Sequence, residues 1–92
     1  MKLITVEAFF TSDEIGTAMD AVQTQVETVS AMEGCAAFAV YQSKTAIAIV
    51  QKWHSMQHFD SYRGSAVFGD LIAALKPLMA APPVTTIADV DT

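Results

Sequence analysis

Gln51 to Phe68 reads QKWHSMQHFDSYRGSAVF. It opens at the end of an apolar run containing Trp53, the only tryptophan, and continues through both histidines (His54, His58), Tyr62 and the only arginine, Arg63. Gly64-Ser65 then breaks the pattern, and a new helical periodicity starts near Phe68. A strand that stops at Trp53 and hands over to two short helices sets the rest of the topology. Aromatic, titratable and cationic side chains are scarce elsewhere, so their gathering at one strand-to-helix junction also marks a candidate site. The plainer alternative is a strand end capped by an amphipathic helix, with Trp53 and Phe59 filling core.

Working backward, Cys35 to Gln42 and Thr45 to Trp53 are two strand-like runs separated by Ser43-Lys44. That spacing predicts an antiparallel hairpin, although Ser-Lys lacks the Gly or Asn favoured in the tightest turns. Leu3 to Phe10, rich in Val, Ile, Thr and Phe, predicts a first strand. Thr11-Ser12-Asp13-Glu14 has the form of a capping box. Ile15, Met19, Val22, Val26 and Val29 follow as one stripe of an amphipathic helix, with Gly34 as its left-handed cap. Working forward, Met56 to Tyr62 reads as a short helix with Ser55 at its N-cap, and Ser65 caps a second. Phe68, Leu71, Ile72 and Leu75 line that second helix until Pro77 stops it. Pro82-Pro83 resets the chain to extended geometry, and Val84 to Val90 alternates as a last strand.

The order βαββααβ, with a right-handed crossover between the first two strands, leaves room for the third between them. The expectation is an α+β, ferredoxin-like antiparallel sheet with helices on one face. Both faces of its strands are apolar: Ile4, Val6, Ala8 and Phe10 alternate with Leu3, Thr5, Glu7 and Phe9, and Ala46, Ala48 and Val50 with Ile47, Ile49, Gln51 and Trp53. A half-solvated sheet carries polar residues on one face. The uncovered face is therefore expected to meet the same face of a second copy. Thr5, Glu7 and Phe9 are assigned, with Ile49, Gln51 and Trp53, to a pocket beneath the helices. The other set, of smaller aliphatics, is assigned to sheet-on-sheet contact.

Ninety-two residues predict one domain, 1–92, near the low end for a self-sufficient core. Hydrophobic residues are 52% and charged residues 16%, apolar enough to favour burial against another chain. A net charge of −5 without a basic cluster argues against nucleic acid and anionic membranes as partners. The lone Cys35 has no internal disulfide partner and reads as a buried, inert thiol. The start, MKLITVEAFF, is too short and too broken by Glu7 for a signal peptide, and a cytoplasmic protein is the expectation.

His54 and His58 have helical metal-ligand spacing, but no His-Glu-x-x-His or nearby Cys supports a metal site. The four glycines are scattered, so no phosphate loop exists, and Cys35 with a distant His is no nucleophilic pair. No metal, flavin or haem is expected. His58 and Tyr62, four apart, share a helix face.

Several short motifs together resemble the antibiotic biosynthesis monooxygenase family. They are Gly34-Cys35, Phe38-x-Val40-Tyr41 with Gln42-Ser43, Gln51-Lys52-Trp53 at the end of a strand, Ser65-Ala66-Val67-Phe68, the Leu71 to Pro77 helix end and Pro82-Pro83. The likeness covers nearly the whole chain, with two departures. Gln51 stands where the family usually has a carboxylate, and Tyr62, nine residues after Trp53, where many members have a histidine. The resemblance implies a dimeric α/β barrel with a mainly apolar pocket beneath the helices. It also implies a cofactor-independent monooxygenase acting on an electron-rich phenol, quinol or polyketide-like aromatic. On that reading His58 is the base, Trp53, Phe9 and Phe68 stack on the ring, and Tyr62 hydrogen-bonds its oxygens, with Glu7, Gln51 and Leu71 completing the substrate pocket. Haem-degrading relatives need an Asn on the first strand and a haem-ligating His, near where Glu7 and Tyr62 stand, so haem degradation is not expected. Two rivals remain: a non-catalytic dimeric barrel for ligand binding or stress response, and a muconolactone-type isomerase.

The two apolar sheet faces predict an obligate homodimer with an interface of at least the standard ~1,600 Å². Light scattering should return twice the 9.9 kDa chain mass. A folded monomer at every concentration would contradict it.

Overall fold

Alternating β-branched and aromatic residues build a strand, β1, from Lys2 to Phe10, and a hairpin of β2 (Cys35–Gln42) and β3 (Ala46–Trp53) pairs onto it. The structure, a computed structural model, describes residues 1–90. Between β1 and β2 runs α1 (Ile15–Ser30); after β3 come α2 (Met56–Arg63), α3 (Ala66–Leu75), a 3₁₀ turn at Lys76–Leu78, and β4 (Met79–Asp89). The sheet order is β2-β3-β1-β4, antiparallel throughout. This is the expected ferredoxin-like α+β arrangement, with β3 inserted between the first two strands. No described helix is long and apolar enough to cross a membrane.

Local chemistry explains most boundaries. Ser55 and Ser65 cap α2 and α3, accepting from the backbone N–H of His58 at 3.2 Å and Phe68 at 3.3 Å. In the β2–β3 turn, Ser43 Oγ accepts from the N–H of Ala46 at 3.1 Å, the side-chain-to-backbone bond that lets Ser-Lys serve where Asn-Gly is usual. The capping box is not formed. Glu14 occupies the N-cap without a side-chain bond, and the Thr11 carbonyl accepts from the N–H groups of Glu14 and Ile15, each at 3.1 Å. A backbone turn over residues 11–14 satisfies those donors, leaving none for the hydroxyl. β4 begins earlier than expected and carries both prolines inside it. Its place at the sheet edge tolerates their missing N–H groups, and the β1 register shifts between Glu7 and Phe9 alongside them.

The pairing of β1 with β3 decides which side chains lie under the helices. Ile4 sits opposite Gln51, Val6 opposite Ile49 and Ala8 opposite Ile47, so these six share one face. Ile4, Ala8 and Phe10 are buried there with Ile47, Ile49 and Trp53, beneath Ala18, Val22 and Val29 of α1. The assignment for β3 matches the expectation and that for β1 is reversed. Thr5, Glu7 and Phe9 project from the opposite face with Ala48 and Val50, and Glu7 is exposed. The cost of burying an unpaired carboxylate is the physical reason. Tyr41 and Val84 are also on that open face and are largely exposed.

α1 is closed by Ala31 in the right-handed region and not by Gly34, which with φ +85° instead turns the chain into β2, its Cα facing the His58 imidazole so closely that a Cβ there would overlap the ring. Gly34→Ala should therefore cost about 1–3 kcal/mol in urea unfolding. In a His58→Ala background the overlap with the ring disappears, while the close approach of the residue-58 Cβ and the backbone strain remain, so the double variant should be more stable than the two single losses added together. Simple additivity would show that the ring does not oppose a side chain there.

Candidate functional site

Trp53 ends β3 with no exposed surface. Its indole N–H is a donor only, and burial leaves it a single acceptor, the Gln51 Oε1 two residues earlier on the same face, at 2.9 Å. The bond fixes the side-chain amide: oxygen toward Trp53, NH₂ turned away from it. Tyr62 of α2 stacks on the indole, centroids 5.2 Å apart and planes 19° from parallel, and is itself 1% exposed. Phe38 and Phe68 meet the Tyr62 ring edge-on at 6.3 and 5.3 Å, and Phe59 closes the cluster at 6.3 Å.

In front of this cluster lies a cavity of about 330 Å³ between the sheet and α2–α3, at the small end of the range of small-molecule sites. Val6 and Ala8 of β1 and Ile49 and Gln51 of β3 form its floor. Phe59, Tyr62 and Arg63 come from α2, Phe68 and Leu71 from α3, and Thr85 and Ile87 from β4. Its polar groups are few: the Gln51 amide, the Tyr62 phenol, the Thr85 hydroxyl and the Arg63 guanidinium, whose carbon stands 5.5 Å over the Phe59 ring. Burial, with a smaller contribution from nearby Cys35, pushes the Tyr62 phenol up to about 12, so it is a neutral donor at physiological pH. Burial also raises the Cys35 thiol, whose Sγ lies 3.6 Å from the Ala37 carbonyl. Among the described residues no three His, Cys, Asp or Glu side chains gather where a metal could bind.

The structure brings together Gln51, Tyr62, Phe68 and Leu71 on the cavity wall, with Trp53 directly behind them. Glu7 and Phe9 lie across the sheet and do not reach it; Glu7 lines a shallow depression on the open face with Tyr41 and Ala48. His58 is also elsewhere. Its Nδ1 is 2.8 Å from Ser55 Oγ, and its ring covers Gly34 at the α1–β2 junction. Sharing a helix face with Tyr62 does not put His58 in the cavity, because one turn toward the N-terminus carries it beyond the end of the sheet. Arg63 and Phe59 are the main site residues missed in sequence. Their spacing from Tyr62 on a two-turn helix is visible in sequence, but which flank of α2 meets the cavity depends on how the helix is set on β3.

The family model for antibiotic biosynthesis monooxygenases matches residues 3–74. The chain belongs to that family. Solved structures share its fold at low identity. A candidate antibiotic biosynthesis monooxygenase from Nitrosomonas europaea superposes with TM-score 0.93 at 17% identity, covering 98% of each chain. A Mycobacterium tuberculosis protein gives 0.90 at 18%, over 99% of this chain and 96% of its own. A conserved protein from Methanosarcina mazei gives 0.89 at 16%, over 95% and 89%. No curated protein sequence matches the chain. At such identities the superpositions speak to fold alone, and the chemistry of the site rests on its own residues.

The raised Tyr62 phenol ties stability to alkaline pH. The folded state holds this proton more tightly than the unfolded chain, whose tyrosines titrate near 10. The contribution is complete below about pH 10 and is lost as pH rises toward 12, at up to about 1.4 kcal/mol per pH unit. Urea unfolding at pH 9, 10 and 11 should show wild type losing this increment and Tyr62→Phe lacking it. Parallel profiles would contradict the buried phenol.

Proposed function

We propose that this chain is a cofactor-independent monooxygenase for an electron-rich phenol or quinol, working as a homodimer. The observation that carries the reading is the apolar cavity walled by Phe59, Tyr62 and Phe68, with one oriented amide at its floor. A flat aromatic ring fits among such side chains, and water is a poor competitor there. In the reaction a phenol with a free para carbon and one O₂ give a para-quinone and one water. The ring C–H and the phenolic O–H are replaced by two C=O groups, one oxygen atom enters the product, and the other leaves as water. All four electrons taken up by O₂ come from the substrate, so no external reductant enters the balance.

His58 stands outside this scheme because its ring lies against Gly34 and Ser55. Neither remaining titratable group on the wall is a base near neutrality: Tyr62 keeps its proton, and Arg63 is permanently charged. The substrate is then one whose own phenol or enol ionises readily, and the site stabilises the resulting anion instead of creating it. Tyr62 donates to a substrate oxygen, Phe68 and Leu71 hold the ring, and Trp53 acts through Gln51.

The dimer is supported by the uncovered sheet face, where Ala48, Val50, Tyr41 and Val84 lie together on paired strands. The missing base favours the second reading, a binding barrel without turnover, and weighs against a muconolactone-type isomerase, which needs a proton shuttle.

Oxygen uptake with a panel of anthrones and 1-naphthols, each with a free carbon para to the hydroxyl of its phenol form, under metal-free conditions, tests the proposal. Wild type should consume one O₂ per quinone formed. His58→Ala should keep its rate, whereas loss of a true general base lowers turnover by roughly 10²–10⁴-fold. Tyr62→Phe should cost about 0.5–1.5 kcal/mol in kcat/KM. Binding without oxygen consumption would give the site to the binding module.

A further inference from the structure

Gln51 is 3% exposed and lines the cavity, and its oxygen is committed to the Trp53 indole. A side-chain amide has one acceptor oxygen and two N–H donors, so what remains for a ligand is donor only. Among the described residues no protein acceptor takes those N–H groups. The second fixed donor is Arg63, which stacks over Phe59 at the cavity wall and pairs with no carboxylate among the described residues. Among the described residues no Asp, Glu or His side chain lines the cavity, and Thr85 adds only a neutral hydroxyl. In a chain of net charge −5, the one arginine faces the cavity, Glu7 points out of the opposite face, and Asp89, on the cavity's side of β4, is taken by Lys2.

We propose that Gln51, locked by Trp53, and Arg63 make this a selective site for aromatic anions: the ionised hydroxyl or carboxylate of a ring compound, with its oxygen on the Gln51 amide. Donors that face a mainly apolar cavity and have no protein acceptor are matched best by an anionic oxygen. A cationic ring compound meets two donor groups and the Arg63 charge, with no acceptor carrying negative charge to offset them. Gln51 is thus a specificity residue and Trp53 its positioning partner. The inference rests on this cavity being the ligand site and deepens the reading above.

Binding can be measured without turnover, anaerobically, by quenching of Trp53 fluorescence. The probes are 2-hydroxy-1,4-naphthoquinone, an anion at pH 7, and 1-naphthylmethylamine, a cation of similar shape. Wild type should bind the anion at least about tenfold more tightly, the factor that ~1.4 kcal/mol produces. Gln51→Glu keeps an oxygen for the indole N–H but replaces the donor with a charge. It should weaken the anion about tenfold or more and leave the amine unweakened. Arg63→Gln, at an exposed position that does not endanger folding, should narrow the preference from the other side. Near-UV circular dichroism checks that Gln51→Glu is folded; if it is not, the Arg63→Gln result decides. Equal affinity for both probes in wild type, or an unchanged preference in the variants, would overturn the proposal. Anion selectivity without oxygen consumption would keep it and reject the monooxygenase, and turnover insensitive to Gln51→Glu would do the reverse.

Discussion

A buried indole with one N–H to satisfy organises this molecule. Trp53 is the largest fully buried side chain among the described residues, and its burial is made tolerable by Gln51 Oε1, which meets its N–H at 2.9 Å. Without that acceptor the burial would leave an unpaired donor at a cost of roughly 1–3 kcal/mol. Once it is made, the bond reaches in two directions. The indole face becomes the platform on which Tyr62 stacks, which seats α2 on the sheet, and the Gln51 amide is held with its donors free. Stability and ligand preference therefore share one hydrogen bond.

The aromatic cluster built on Trp53 also explains why the cavity is mainly apolar and narrow. Tyr62 is held by Trp53, Phe38, Phe59 and Phe68 together, and such rings meet at angles and separations that leave little free play. α2 is only eight residues long, too short to be stable alone, so its position is set by this packing and by the Ser55 cap. β4 closes the other side from the sheet edge. Its prolines and the nearby register shift keep it from pairing uniformly, while the Lys2–Asp89 ion pair ties its far end to β1.

The two sheet faces have different consequences. The helix face holds the long aliphatics and the one buried amide. The open face carries alanines, Val50, Thr5 and the charges of Glu7 and Lys52. Small side chains allow close approach of another sheet, and a lone carboxylate there can stay in water or find a partner, whereas beneath the helices it would be stranded. Among the described residues the same placement leaves the cavity without a carboxylate, and that gives its donor groups their chemical meaning.

The amino-acid sequence by itself determined the elements and their order. The Ile15–Val29 stripe, the Ser55 and Ser65 caps, the left-handed Gly34 and the Cys35–Trp53 hairpin are all local patterns, each satisfied within a few residues, and the family likeness added their sequence on the sheet. It also marked Trp53, Tyr62, Phe68 and Leu71. Tertiary structure alone decided the rest. Because β1 is apolar on both faces, alternation could not say which set turns inward; its register with β3 did, moving Glu7 and Phe9 away from the cavity. Helical spacing put His58 and Tyr62 on one face, yet a short helix across a sheet edge sends neighbouring turns to different surroundings, His58 onto Gly34 and Tyr62 onto Trp53. The orientation of the Gln51 amide lay equally beyond the sequence, since it follows from which single acceptor a buried indole can reach.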